Sequence, residues 1–473
     1  MSFASPTFLW FFLPAVLGLY WVLPGSSRNG LVALASLVFY VWGAGSFVLL
    51  LCASILLNYA AGLALERDRI GERHRRRTAV LVTAVVAQLA LLAVWKYVAF
   101  ASTQLHHVFA QVPALRIALP IGISFFTFHG LSYILDVYRG SRAPQRSLVR
   151  FAMYIAMFPQ LISGPIVRYH EIADQLAQTS HNKLEDLAAG FPRFALGLAK
   201  KVVIADSIAP IADAVFGADP GTLDWRTAWI GALAYTVQIY FDFSGYSDMA
   251  IGLGRMFGLG LPENFDRPYS AVSITDFWRR WHMSLSRWFR DYLYIPLGGN
   301  RGSAARTYRN LVTVFVAVGI WHGANWTFLV WGLYHGTLLI VERVTGLARL
   351  DPDRYVVPRR AGALLLVVIG WVFFRAGSLT QAAAMLHVMF VPRLAATSTL
   401  LTDAGISHQA VVVFCAGLAA FLLPRRFVMG RVLSAGTGPV ALTARYACSV
   451  LAIGYVSVLV AAGTFSPFLY YQF

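Results

Sequence analysis

The chain has 473 residues, 58% of them hydrophobic and only 13% charged, with clearly positive mean hydropathy. That composition excludes a string of soluble domains and fits a polytopic membrane protein. A net charge of +17 would suit nucleic acid, but the basic residues sit in short clusters between apolar runs and no nucleic-acid-binding motif accompanies them. An excess of positive charge in cytoplasmic loops explains it better.

Apolar runs long enough to cross a hydrocarbon core of roughly 30 Å begin near Phe8 and recur through Leu459. About ten to twelve crossings are expected. The first run has no basic segment before it and no small-residue cleavage site after it, so it reads as a retained span. It and the next two, 7–24, 29–43 and 45–65, are divided by Pro24-Gly25 and Gly43-Ala44-Gly45. They lead to the densest basic loop, with Arg67, Arg69, Arg73, Arg75, Arg76 and Arg77. Positive charge places that loop in the cytoplasm, and three crossings before it put the N-terminus outside.

The run at 78–101 then exits, leaving His106 and His107 in an external loop. Without a third ligand nearby they read as solvated, not as a metal site. The chain returns through Leu119 to Gly130, where Pro120, Gly122 and Gly130 break or shorten the span, and reaches Arg139, Arg142, Arg146 and Arg150. In Phe158-Pro159-Gln160-Leu161-Ile162-Ser163-Gly164-Pro165, two prolines and a glycine interrupt apolar sequence. This predicts a broken or re-entrant helix, which is tolerated only against protein or a water-filled cavity. A polar stretch at 168–186 precedes an apolar run at 194–216 that carries Lys200-Lys201.

The span at 229–256 contains Gln238, Asp242, Ser244, Tyr246, Ser247 and Asp248. Carboxylates six residues apart share a helix face poorly, which argues against a glycosidase-type pair. Polar contacts within the helix bundle and the shaping of a polar channel both remain open for them.

Between Asp276 and Tyr292 lies an Arg- and Trp-rich segment. At helical spacing Trp278, Trp281, Leu285, Trp288 and Tyr292 form one stripe, whereas Arg279, Arg280, Arg287 and Arg290 point elsewhere. Such a charged segment should lie in the interface or line a cavity. Two readings stay open: an interfacial anchor, and an Arg-lined cytoplasmic mouth for a phosphate-bearing donor, since guanidinium groups match phosphate geometry. After Gly298-Gly299 and the basic Arg301, Arg306 and Arg309, the chain re-enters at 311–320. Final spans are expected at 326–341, 361–375, 380–391, 409–423 and 442–463, punctuated at Arg359-Arg360, Gly377-Ser378 and Pro424-Arg425-Arg426. Cys52, Cys415 and Cys448 lie in or beside apolar runs without metal-ligand spacing, so buried, reduced thiols are expected.

His322, in Gly319-Ile320-Trp321-His322-Gly323-Ala324-Asn325-Trp326, places an imidazole in membrane-like sequence. An ionisable group there is costly and is a functional-site hypothesis by default, with a helix-to-helix hydrogen bond as the structural alternative. Trp281-His282 supplies a second such pair. On a continuous helix His335 would lie roughly 20 Å beyond His322 along the axis, too far to assist it. His129 is a weaker candidate still.

Pro120-Ile121-Gly122-Ile123-Ser124-Phe125, Phe158-Pro159-Gln160 with Gly164-Pro165, Gln238 to Asp248, Phe277-Trp278-Arg279-Arg280-Trp281-His282, Tyr294 to Asn300 and Trp321-His322-Gly323 together resemble the membrane-bound O-acyltransferase family. The similarity is greatest to its bacterial branch containing the alginate O-acetyltransferases, and it runs on to Ser466-Pro467-Phe468-Leu469-Tyr470-Tyr471. The resemblance implies an all-α, polytopic fold, one domain over 1–473, with re-entrant or interfacial helices around a central channel. It implies an inner-membrane enzyme that takes an acyl group from a cytoplasmic thioester, acetyl-CoA or another, for O-acetylation of an exported polysaccharide. It further implies a periplasmic acetyltransferase partner, no bound cofactor and no metal. The family's catalytic histidine maps onto His322, and His282 matches the upstream motif.

The chemistry is reasonable on its own terms. A neutral imidazole accepts a hydroxyl proton as the oxygen attacks a thioester. Asn325, Ser244, Tyr246 and backbone amides are candidate oxyanion donors. With Asp242, Trp281, Arg279, Arg280, Arg287 and Arg290 they form the expected substrate-binding set, and His322 is expected on a polar passage open to both sides. Rival readings are D-alanyl or other acyl transfer to an envelope polymer, and a non-catalytic transporter, which the lack of paired similar halves weakens.

Overall fold

The computed structural model describes residues 2–70, 74–178, 182–347, 350–351, 354–391, 399–423, 438–463 and 468–469. Arg73, the Pro424-Arg425-Arg426 punctuation, and Ser466, Pro467, Tyr470 and Tyr471 lie outside them. Every regular element among the described residues is helical, as expected. Among the described residues four helical runs are long and apolar enough to cross a membrane: Gly25–Arg67, His74–Val108, Val356–Arg375 and Val440–Ala461. Shorter apolar helices span Phe8–Val22, Leu379–Phe390 and His408–Leu422. The first long run contains two helices, Gly25–Ala44 and Val48–Ile70, divided at Gly45–Phe47 where the sequence places a turn. The chain is a multi-pass membrane protein.

Along His74–Val108 the side chains of Val82, Val86 and Leu89 stay exposed at i, i+4 and i+7, the stripe that such a helix turns to lipid. Cys415 and Cys448 are exposed as well, and Cys52 is half-buried, which corrects the expectation of buried thiols. Lipid tails are as apolar as a protein core, so an apolar run alone does not fix which of its positions are buried.

Contacts divide the chain into two compact units, Met1–Phe194 with Ser247–Pro262, and Ala195–Tyr246 with Glu263–Phe473. In the first, Phe3, Phe8, Phe39 and Phe158 form a buried aromatic cluster with ring centroids 5.0–6.3 Å apart. The predicted interruption follows directly. Helix Leu148–Ala156 stops, one turn forms at Phe158–Leu161, and the chain from 162 to 168 runs buried without helix. Buried backbone must find partners, and side chains supply them. Ser36 Oγ accepts from Phe158 N at 3.0 Å, and Gln160 Nε2 donates to Tyr154 O. His129 Nε2 accepts from Val167 N at 3.3 Å. The buried imidazole of His129 is thereby explained as a partner for broken backbone.

The second unit contains the hairpin that carries His322. Helices Ala304–His322 and Trp326–Val344 run antiparallel, because Gly319 lies against Phe328 and Gly332, while Gly332 and Gly336 lie against Phe315. A Cβ added at Gly319 or Gly332 would strike the carbonyl of Phe328 or Phe315, so small residues let the two backbones touch. Gly332→Val is expected to destabilise the fold by about 1–3 kcal/mol through overpacking. Thermal unfolding in detergent measures this, and an unchanged midpoint would contradict the close-packed hairpin.

Candidate active site

The Arg- and Trp-rich segment is not one helix. It forms Ile274–Trp278 and Met283–Phe289, separated at His282, whose φ of 44° and ψ of 53° are left-handed. The first piece is capped twice. Ser273 Oγ accepts from Asp276 N at 3.0 Å, and the Glu342 carboxylate accepts from Ile274 N, from Thr275 N at 2.9 Å and from Thr275 Oγ1 at 2.8 Å. The second is held by Asn264, whose carbonyl O accepts from Met283 N at 2.9 Å. Its side-chain Oδ1 accepts from Ser284 N at 3.2 Å and Ser284 Oγ at 2.9 Å, and lies 3.1 Å from His282 Nδ1. Despite the break, Trp278, Trp281, Leu285, Trp288 and Tyr292 are all buried, as the stripe predicts. Trp281 packs on Trp371 at 4.8 Å and on Phe265 at 5.0 Å.

The arginines divide. Arg280 pairs with Asp276 at 2.8 Å and Asp266 at 3.3 Å, Arg290 with Asp291 at 2.7 Å, and Arg287 donates to the Glu263 carbonyl at 3.0 Å. Arg279 is exposed and has no such partner among the described residues.

His322 is the last residue of its helix, and Gly323 to Asn325 reverse the chain. Asn325 caps the next helix, with Oδ1 accepting from Thr327 N at 3.1 Å and Nδ2 donating to Gly377 O at 3.0 Å. The His322 ring is 3% exposed and packs against Trp321 at 4.9 Å, Trp331 at 5.0 Å and Phe374 at 5.1 Å. Trp321 neighbours both histidines, its ring 6.0 Å from that of His282. Trp331 in turn lies 5.1 Å from His335, so His282, Trp321, His322, Trp331 and His335 form a chain of neighbouring rings. The 20 Å separation expected for His335 assumed a continuous helix; reversal at Gly323 folds the two elements together.

Asp242 meets Lys201 at 2.8 Å and accepts from Leu469 N at 3.1 Å, and Asp206 pairs with the same lysine at 2.6 Å. Lys201 belongs to a π-helical turn, Lys200–Ala205, an irregularity frequent at functional positions. Tyr246 packs on Phe468 at 4.9 Å, and Ser244 is buried nearby in sequence. In the first unit Asp248 pairs with Arg193 at 2.6 Å. Sequence reasoning missed Asn264 and Glu342. An acid within the apolar run at 326–341 and its flank was a readable signal for Glu342, whereas nothing in the spacing pointed to Asn264.

Residues 139–382, which include both histidines and the four arginines, match the family model of MBOAT, the membrane-bound O-acyltransferase family. The chain belongs to that family. It is an O-acyltransferase, and the resemblance seen in its motifs is borne out. Similar proteins include the probable alginate O-acetylase AlgI of Azotobacter vinelandii, 49% identical over 82% of this chain and 78% of the relative. The peptidoglycan O-acetyltransferase of Helicobacter pylori is 38% identical over 82% and 80%. The teichoic acid D-alanyltransferase of Bacillus subtilis is 30% identical over 54% and 66%.

Proposed function

We propose that this O-acyltransferase of the bacterial inner membrane, with its N-terminus in the periplasm, moves an acetyl group from a cytoplasmic thioester, acetyl-CoA or another, for O-acetylation of an exported polysaccharide such as alginate. The observation that carries the reading is that the rings of His282 and His322 both neighbour that of Trp321, within the family-matched residues of a chain 49% identical to a probable alginate O-acetylase. In this reading a hydroxyl oxygen attacks the thioester carbonyl carbon as the His322 imidazole takes the hydroxyl proton. The carbon–sulfur bond breaks, and the leaving thiolate receives that proton, giving ester and thiol. The 3% exposed surface of His322 is where the reacting groups would have to reach it. Exposed Arg279 is the best placed of the four arginines to meet a donor phosphate, the other three having internal partners. Ser244, Tyr246 and backbone amides remain the oxyanion candidates, since the Asn325 amide is engaged with Gly377. A periplasmic acetyltransferase would complete delivery to the sugar.

The D-alanyl reading is second, supported by 30% identity over a shorter share of the chain. Purified wild-type protein incubated with radiolabelled acetyl-CoA and a hydroxyl acceptor is expected to yield labelled ester and free thiol. Failure with acetyl-CoA, accompanied by D-alanine transfer from a charged carrier protein, would replace the acetyl reading with the second.

A further inference from the structure

We infer that Asn264 is a positioning residue that fixes His282 as its Nδ1–H tautomer, so that Nε2 carries the lone pair and acts as a hydrogen-bond acceptor. This rests on the proposed participation of His282 in the transfer. The argument starts from the backbone. Ser284 N is 3.2 Å from the Asn264 side chain and can only donate, so the atom it meets is the carbonyl oxygen and not the amide nitrogen. Ser284 Oγ, 2.9 Å away, donates to the same oxygen. His282 Nδ1 also lies 3.1 Å from it. An amide oxygen offers lone pairs and no hydrogen, so the proton of this contact belongs to Nδ1.

Both side chains are completely buried, so no bulk water competes for the arrangement. Burial pushes the His282 imidazole down to about 3, which keeps the ring neutral at physiological pH. A neutral ring with its hydrogen on Nδ1 has one acceptor, Nε2, and no second donor. His282 can therefore hold an O–H group of an incoming acceptor, but it cannot donate to a developing oxyanion.

Asn264 also sustains the backbone that presents the ring. A left-handed histidine is uncommon and costs free energy, and such strain persists where surrounding contacts over-determine it. Here Asn264 binds the two residues that follow, through Met283 N and both polar groups of Ser284. Edge-on Phe243, 4.7 Å from the imidazole, and Trp321 at 6.0 Å limit rotation of the ring.

The test is nitrogen NMR on full-length wild-type protein labelled with ¹⁵N-histidine, with the His282 signals assigned by their loss in His282→Gln. A protonated, pyrrole-type Nδ1 with a pyridine-type Nε2 is expected; the reverse tautomer, or two protonated nitrogens, overturns the inference. Kinetics with acetyl-CoA supply the second arm. Asn264→Leu, similar in size but without an acceptor, should lower kcat on the order of 100-fold with little change in donor KM. Asn264→Asp, which restores the acceptor, should recover most of it. Wild-type kcat in Asn264→Leu, beside an inactive His282→Gln, would remove Asn264 from the mechanism and leave His282 in it. An active His282→Gln would instead overturn the underlying role of His282. Should Asn264→Leu fail to fold, the wild-type spectrum alone decides.

Discussion

His322→Ala is expected to lower acetyl transfer by about 10²–10⁴-fold, the contribution typical of a positioned general base. The ring stands at a helix end where the chain reverses, enclosed by Trp321, Trp331 and Phe374. His282 packs against Trp321 and His335 against Trp331, two of the rings that enclose His322. Truncation also removes three aromatic contacts, so His322→Gln, which keeps more of the bulk and loses the basic nitrogen, should be made beside it. Both variants are to be compared with wild type at equal membrane abundance. The measurements are acetate content of the exported polymer in cells and ester formation by purified protein. Undiminished acetylation in the two variants would remove His322 from the chemistry. Loss in the alanine variant alone would assign the ring to packing.

How much of this arrangement was legible depended on the range of the interaction. Apolar runs fixed the multi-pass character, and Gly43-Ala44-Gly45 marked a turn that the chain indeed makes at Gly45–Phe47. Proline and glycine around Pro159 and Gly164 announced broken helix, because proline lacks the N–H of a helical hydrogen bond and glycine loses the most backbone entropy on entering a helix. The aromatic stripe from Trp278 to Tyr292 was correctly assigned to the interior, since side-chain spacing survives a short interruption. Its continuity was not, because the left-handed turn at His282 is stabilised by Asn264, 18 residues away, and no local propensity encodes it. The same range effect divides the arginines. Asp276 and Arg280 are readable as an i,i+4 pair, whereas Asp266 reaches Arg280 only after the chain has folded back. Exposure of Cys415 and Cys448 was unreadable for a different reason: the bilayer is itself an apolar solvent.

The second large effect concerns Lys201. Its ammonium is 1% exposed, lies 4.7 Å above the Phe468 ring and bridges Asp206 and Asp242, which are 3% exposed. Removing one partner from a buried ion group typically costs about 3–5 kcal/mol, because the remaining charge is stranded without water or counter-charge. Lys201→Met should therefore lower the thermal midpoint sharply, or abolish accumulation in the membrane. Adding Asp206→Asn and Asp242→Asn to it should recover much of the loss, since a neutral group of similar volume carries no stranded charge. Equal stability of Lys201→Met and wild type would show that the triad does not hold the fold. The same experiment separates two roles for Asp242, which the sequence placed among substrate-binding residues. If its carboxylate serves mainly Lys201 and the Leu469 amide, Asp242→Asn should lower stability and leave donor KM near the wild-type value. If it meets substrate, KM should rise at unchanged stability. The two short contacts already made by this carboxylate favour the first outcome, because an oxygen engaged by a buried ammonium is a weaker acceptor for a second partner.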